Sequence, residues 1–595
     1  MLILGVVALL VLSVAAQCQT ADLTGVVRDA TGSAVPGAHL TITRNDTRAR
    51  RSTDSDRVGV YSFPALQAGV YDLTVEAHGF GTQTHDHVVL DVGQHSQLDF
   101  VLAIGVLSTQ VKVYASGEAL RPADASVGTI ISGAEIAQLP VNGRNFTRLI
   151  LLIPGASSVN GSQSDGTVSG TALFSVNGER DQDNNYVIDG IESNFFHGNS
   201  PGALPPMDSI AEFRVTTGGS AEFGRSMGAN VSLVTKSGSN TLHGTVYEYL
   251  RNADLDANDF FANASGLSRT PYHRNQFGAT AGGPVVLPRL YDGHNRTFWF
   301  TAYEGFRASQ GTSLISTVPT AAEAQGNFNG TGNPIYDPST SAMDTKGNVI
   351  RQPFPNNTIP AARLDPGMQY MLQKLVPRPN LGGLSNNYLN TQSAMNRHDI
   401  GVARVDQYIN SNNNVFFRIL EQRVDDITPK PTPQFATNYS FDGLNVSMGW
   451  TSVLNPSSVL DITLGYNGLS APEFTTNTLG LSRAGFLQNT GIQLFQPQTS
   501  LGLIPTLAAT GAFSVGESGG SSKDNVYQLN ANFSHTAGKL TWKSGLTFSP
   551  RRYFHASNVA TNGTADFTSA FTQTFGVANS GGPASLRCSW DIRRA

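Results

Sequence analysis

Few residues in this chain have types and spacings that could do chemistry. His85 and His87, with His78 and His95 nearby in sequence, stand two apart, so on a strand both imidazoles would face one way, as a metal pair must. Asp86 would then point to the opposite face and no thiolate is near, which leaves two histidines on a solvated face as the better reading. Asp181-Gln-Asp-Asn-Asn opens like the alternating oxygen ligands of a calcium loop, but Tyr186 stands where that loop needs Gly. A polar turn before a strand from Tyr186 to Ile188 fits better. Gly516-Glu-Ser518-Gly-Gly520 spells the Gly-x-Ser-x-Gly of a nucleophile elbow, which needs a strand before it and a helix after it. Gly-Ser-Ser-Lys-Asp follows instead and reads as loop. The glycines between Ala221 and Gly244 lack a following Gly-Lys-Ser/Thr at phosphate-loop spacing. With no His-Glu-x-x-His and no acid pair, the expectation is no catalytic, cofactor or metal residue, and a protein that is not an enzyme.

The elements that carry these residues must therefore serve another purpose. At 595 residues the chain is long enough for several domains; its 61 glycines and its low charged fraction of 14% suit β-structure with many turns. A net charge of −5 with scattered Lys and Arg leaves no nucleic-acid footprint. Cys18 and Cys588 stand near opposite ends and offer no disulfide framework. Leu2 to Ala16 is an apolar run of about 15 residues, the length of a signal-peptide core, so residues 1–16 are read as an export signal. It has no preceding Lys or Arg, which points to a start codon further upstream, and Gln17 before Cys18 speaks against a lipoprotein signal. No later run reaches about 18 apolar residues, so a β-barrel is the one membrane architecture open to the chain.

Residues 21–104 read as short strands with turns: Leu23 to Asp29, Ala38 to Ile42, Val60 to Phe63 and Tyr71 to Val75. Tyr61 with Phe63, and Tyr71 with Leu73 and Val75, fall on one face each, as half-buried strands require. The string Gly25-Val-Val-Arg-Asp, Val35-Pro-Gly-Ala38, Gly59-Val-Tyr-Ser-Phe63, Gly69-Val-Tyr71 and Gly79-Phe80 resembles the carboxypeptidase regulatory-like domain. That resemblance implies a transthyretin-like or carbohydrate-binding-like β-sandwich, and the name does not imply peptidase activity.

Residues 105–120 form a linker whose strip Ser108 to Ser116, centred on Thr109, Gln110, Val111, Lys112 and Val113, resembles a TonB box. Such a segment pairs edge-on with a strand of the periplasmic protein TonB, through backbone bonds that place loose demands on side chains. The same strip would also serve as an ordinary linker strand. In residues 121–238, Ser132 is placed to cap a short helix carrying Ile136 and Leu139, and Asn142 to Leu152, closed by Pro154-Gly155, suggests a second helix. Asn184-Asn-Tyr-Val-Ile-Asp189-Gly190 and Ala221-Glu222-Phe223-Gly224-Arg225, running on to Gly244, resemble the plug of TonB-dependent receptors of the Oar-like kind and its hand-over to the first barrel strand.

From residue 239 to 584 the pattern is strands of about ten residues joined by alternately short and long connections, as in outer-membrane barrels. Tyr527, Leu529, Ala531 and Phe533 alternate with Gln528, Asn530, Asn532 and Ser534, then turn at His535 to Gly538 into the strand with Leu540 and Trp542. A second hairpin turns at Asn455-Pro456, beyond which Leu460, Ile462, Leu464 and Tyr466 share a face. Ser309 to Asn396 and Ala471 to Lys523 are expected to be extracellular loops; Tyr247, Tyr249, Trp299, Tyr303, Phe416 and Phe417 are expected to form interfacial girdles. About nine to eleven strands are countable where a plugged transporter barrel needs about 22, and residues 585–595 lack alternation, so a truncated barrel with an atypical tail is expected.

The fold expected is thus mainly β: sandwich, then an α+β plug, then a partial antiparallel transmembrane β-barrel. The resemblance implies a TonB-dependent transporter in the outer membrane of a Gram-negative-type bacterium. Its partners would be TonB, membrane lipid and an unidentified small-molecule or oligosaccharide substrate. The alternative is a cell-surface carbohydrate-binding or adhesion protein in which the sandwich does the recognition.

Overall fold

The computed structural model describes residues 20–105, 111–114, 121–122, 127–139, 141–159, 174–196, 200–217, 228–258, 260–264, 266, 268–491, 503–537, 540–557, 564–568 and 572. The expected signal peptide, Thr109, Gln110, Glu222, Phe223, Gly224, Arg225 and the tail lie outside the described residues.

Eight strands build the sandwich: β1 (Ala21–Asp29), β2 (His39–Arg44), β3 (Arg50–Asp54), β4 (Val60–Leu66), β5 (Gly69–Glu76), β6 (Gln83–Leu90), β7 (His95–Gln97) and β8 (Phe100–Leu102). One sheet centres on β1, antiparallel to β4 and parallel to β7 and β8. The other runs β3-β2-β5-β6 and gains β9 (Val111–Tyr114), which lies parallel to β6 at its edge. The alternation read in the sequence is the buried pattern: Tyr61, Phe63, Leu73 and Val75 join Leu23, Leu40 and Phe100 in one apolar core. Gly25 is obligatory there, because a Cβ would sit 1.9 Å from the carbonyl oxygen of Leu98. His85 and His87 do not share a face. The β5–β6 register shifts between them, with His87 at φ 61, so His85 turns inward against Phe100 while His87 stays exposed. The expectation of two solvated histidines is corrected by this bulge.

The inner domain that follows carries β10 (Val127–Ser132), α1 (Gly133–Gln138), β11 (Asn185–Ile188), β12 (Ile191–Glu192), β13 (Ile210–Thr217) and β14 (Ala229–Thr235), in sheet order β10-β13-β14-β11-β12. Ser132 caps α1 as its position suggested, with Glu135 completing a capping box. The second helix is instead two 3-10 pieces, Asn142–Arg144, with Gly143 at φ 67 inside it, and Phe146–Leu152, separated by the extended Asn145. Phe146, Leu149, Phe213 and Val231 pack in one cluster with Phe300, Val402, Leu420 and Leu469 of the barrel wall, so the inner domain shares its core with that wall.

The wall is a 10-stranded antiparallel sheet: β15 (His243–Asn252), β16 (Tyr272–Pro284), β17 (Thr297–Gly311), β18 (Ser393–Asn410), β19 (Asn413–Pro429), β20 (Phe435–Asn455), β21 (Ser458–Asn477), β22 (Ser518–Ala537), then β23 (Leu540–Phe548) and β24 (Arg551–Ser557), which pair with successive stretches of β22. Both predicted hairpins are present. The strands run further than the sequence suggested, so the long connections shorten to residues 312–392 and 478–517. Those two loops fold against each other around α2 (Pro366–Leu375) and α3 (Arg483–Thr490), burying Met371, Leu375, Phe486 and Ile504. Ser518 opens β22 and no helix follows it, which removes the nucleophile-elbow geometry; Glu517 is a buried staple accepting from the backbone N–H groups of Asn477 and Ile504 at 2.8 Å each.

Side chains along the wall alternate between a convex apolar face and a concave polar one. Leu464, Phe417, Met448 and Phe533 are exposed outward, while Thr463, Arg418, Ser447 and Asn532 are buried inward. Of the expected girdle residues, Trp299, Tyr303 and Phe417 lie on the outer face. Tyr247, Tyr249 and Phe416 face inward, where each carries an arginine over its ring. Single-residue reading misplaces them because parity is set by pairing register.

Candidate functional site

The seam between inner domain and wall is where this chain gathers its buried charge. Its centre is the two-residue turn Asp189-Gly190 between β11 and β12, with φ of 45° and 83°, the doubly left-handed geometry that Asp-Gly favours. The turn pushes into the concave face of the wall. Gly465 must be small there, since a Cβ would come within 2.3 Å of Ile191.

Asp189 is buried and fully engaged. Its Oδ1 accepts from the Thr235 backbone N–H at 3.0 Å and from Arg404 at 3.1 Å; its Oδ2 accepts from the Thr235 hydroxyl at 2.8 Å and from Arg418 at 2.9 Å. Arg404 also grips Asp406 at 2.8 and 2.9 Å, and Arg418, with 0% side-chain exposure, donates to the carbonyls of Ile188 and Asn445. Two guanidiniums and two carboxylates close a neutral set, the condition under which buried charges persist. Around it Ser447 donates to the Asp189 carbonyl, and Gln528 and Asn530 donate to that of Gly190.

Two further polar stations hold the same seam. Arg144, in the first 3-10 piece, pairs with Asp208 and with Glu304 of β17, and its guanidinium stacks 4.4 Å from the Tyr247 ring centre. At the other end Glu192 pairs with Arg551, Asp524 accepts from the Phe196 N–H at 2.9 Å, and Gln528 accepts from the Glu192 N–H at 2.9 Å. A cavity of about 300 Å³ adjoins the Asp189 turn, lined among others by Arg404, Asp461, Thr463 and Glu212. Among the described residues no group of three His, Cys, Asp or Glu side chains converges as a metal site would require.

A family model described as an outer membrane beta barrel domain matches residues 234–586, well over half of the chain. The chain belongs to that outer-membrane β-barrel family. A carboxypeptidase regulatory-like domain model matches residues 22–103 of this barrel protein, the sandwich. It is 27% identical over 311 residues to the TonB-dependent transporter Oar of Myxococcus xanthus, covering 49% of this chain and 28% of that one. The chain thus spans less than a third of the length of that relative. Among solved structures it is similar to the outer-membrane transporter YddB from Escherichia coli (TM-score 0.43, 11% identity, covering 72% of this chain and 48% of that one). It is also similar to the siderophore receptor PiuA from Acinetobacter baumannii (TM-score 0.30, 11% identity, covering 73% and 62%).

In an outer-membrane barrel the short turns face the periplasm and the long loops face outward. The sandwich docks at the short-turn end: Asp22 pairs with Lys543 at 3.1 Å, Arg44 donates to the Tyr408 hydroxyl at 3.2 Å, and the Asn240 N–H donates to the Asp46 carbonyl at 3.1 Å. It also holds the inner domain, where Glu212 accepts from the Val92 N–H at 2.7 and 2.9 Å and Arg214 donates to the Val92 carbonyl. Burial, with Asp91 close by, pushes the Glu212 carboxyl up to about 8.

Of the site residues singled out in the sequence, Asp189 and Gly190 stand at the centre of the seam, and Val111, Lys112 and Val113 lie in β9 on the sandwich edge. The arginines that meet Asp189 escaped notice. Their signal was available: Arg404 and Asp406 share the inward parity of β18, and Arg418 that of β19, among outward apolar residues, and inward charge in a wall strand demands a partner.

Proposed function

We propose that this chain supplies the sandwich, plug and barrel wall of a TonB-dependent outer-membrane transporter, which imports a small molecule or oligosaccharide by moving the inner domain as a plug. The observation carrying the reading is the Asp189 turn clamped between Arg404 and Arg418 of the wall. A plug must be held firmly and still come away. At this turn the seam is built from hydrogen bonds and ion pairs, with a polar cavity beside it, and these exchange for bonds to water when it opens, whereas the apolar cluster shared with the wall has no such substitute. The 27% identity to Oar over this stretch supports the same reading.

TonB coupling is assigned to residues 109–113. β9 pairs with β6 on one side only among the described residues, so its outer edge is open to a partner strand, the requirement of β-augmentation. The periplasmic-end docking of the sandwich favours this role over adhesion, since an adhesin would present its sandwich beside the long loops. A photo-crosslinker at Gln110 tests the coupling. Crosslinks to TonB are expected in the native sequence and lost in Val111→Pro/Val113→Pro, which removes two strand donors of β9, with the sandwich's thermal transition read alongside to check that its core stays folded. Equal crosslinking in the double proline variant would defeat the assignment.

A further inference from the structure

Where the sandwich meets the barrel rim there is a cavity of about 430 Å³ that transport leaves unused. The β2–β3 hairpin forms one side and brings Arg44, Arg48, Arg50 and Arg51 to it; the turn joining β18 to β19 forms the other, with Arg296 from the neighbouring short connection. Five guanidiniums line this space and no Asp or Glu does, in a chain with 44 acidic and 39 basic residues.

Two of the five are committed to structure. Arg44 donates to Gln67 at 2.6 Å and pairs with Asp46 at 2.9 Å, and Arg51 donates to the Pro64 and Ala65 carbonyls. Arg51 forms no ion pair among the described residues, and burial pushes it down to about 10. Arg48, Arg50 and Arg296 are exposed and form no ion pair among the described residues. They are nonetheless well placed. Arg48 sits at φ 59 in the hairpin turn with its N–H donating to the Arg44 carbonyl, and the Arg296 carbonyl accepts from the Tyr408 N–H at 2.7 Å. Like charges gathered on ordered backbone repel one another until an anion joins them.

The height of this cavity on the barrel narrows the choice of anion. Trp299, Trp450 and Trp542 all lie within a few residues of the short-turn ends of β17, β20 and β23, and tryptophan marks the headgroup level of a membrane. The cavity lies at the level of Trp450: Thr451 and Val453, of opposite parity, line it from the inner side of β20, and Ile409, which is 60% exposed, lines it from the outer rim. Guanidiniums thus stand at the barrel rim, at headgroup level and with Ile409 toward the outer face, where a phosphate with acyl chains attached can meet them. We propose that this cavity binds the phosphate headgroup of an acidic phospholipid from the periplasmic leaflet, fastening the sandwich to the membrane. The proposal rests on the outer-membrane barrel and is independent of transport.

The test is native mass spectrometry of the detergent-solubilised full chain, with phosphatidylglycerol, phosphatidylethanolamine or inorganic phosphate added. Selective retention of phosphatidylglycerol is expected. It should fall on the order of a hundredfold in R48Q/R50Q/R296Q, about fivefold per guanidinium removed, and hold in R28Q/R57Q, which removes exposed arginines elsewhere on the sandwich. Far-UV circular dichroism checks that both variants are folded. Retention unchanged in the triple variant, equal retention of the zwitterionic lipid, or displacement by inorganic phosphate without any lipid preference would each overturn the proposal.

Discussion

The sandwich core and the seam between inner domain and wall are both buried, and they are made of opposite chemistry. Inside the sandwich the core is Leu23, Leu73, Val75 and Phe100, with the His85 ring and the Tyr61 hydroxyl as uncharged polar groups beside it. Across the seam an apolar cluster is shared, but the residues at the turn that enters the wall are Asp189, Arg404, Arg418, Asn445 and Gln528. An apolar core loses roughly 25 cal/mol for each Å² it exposes, with nothing in water to offset the loss. A satisfied ion-pair network breaks even or nearly so against water, yet tolerates no missing member. One region is built to stay shut, the other to be specific and separable.

That contrast can be broken first at Asp189. Asp189→Ala leaves Arg404 and Arg418 buried beside the lone carboxylate of Asp406, and is expected to weaken the seam by about 3–5 kcal/mol while the sandwich melts as before. The measurement is limited proteolysis of the inner domain together with the sandwich's own thermal transition. Phe100→Ala is the mirror experiment, costing the sandwich roughly 3–4 kcal/mol and leaving the seam's protection intact. Parallel loss of both regions in either variant would mean they are one cooperative unit.

A smaller effect sharpens the comparison where the two regions touch. The Glu212 carboxyl is raised from 4.5 to about 8, first by burial and then by Asp91. A raised acid binds its proton more tightly when folded, so its contribution is complete below about pH 4.5 and is lost as pH climbs through 8. The sandwich's hold on the inner domain is therefore expected to weaken from pH 5 to pH 8.5. Urea midpoints at the two pH values measure it. Glu212→Gln keeps an acceptor for the Val92 N–H and should flatten the dependence.

The same contrast explains what could be read from the residues alone. The sandwich was legible because its core is a matter of parity, and Tyr61, Phe63, Leu73 and Val75 follow period two without interruption. The wall hairpins were legible for the same reason. Parity failed where a bulge resets it, so His85 and His87 were placed together although the fold separates them. It failed again where pairing with distant strands decides which face is inside, as for Tyr247 and Phe416. Asp189-Gly190 was visible as a turn, but its meaning lies in Arg404 and Arg418, over two hundred residues away in sequence. No local pattern encodes that meeting; it follows from folding the inner domain against the wall.

The central claim, that the seam separates before the sandwich unfolds, is tested most directly by hydrogen exchange of the full chain across a urea titration. The amides to compare are those of Glu192 and Phe196, which donate across the seam to Gln528 and Asp524 of the wall, and those of Leu73 and Val75 in the sandwich core. The account predicts that Glu192 and Phe196 lose protection at clearly lower urea than Leu73 and Val75. Loss of protection by all four at one urea concentration would contradict it.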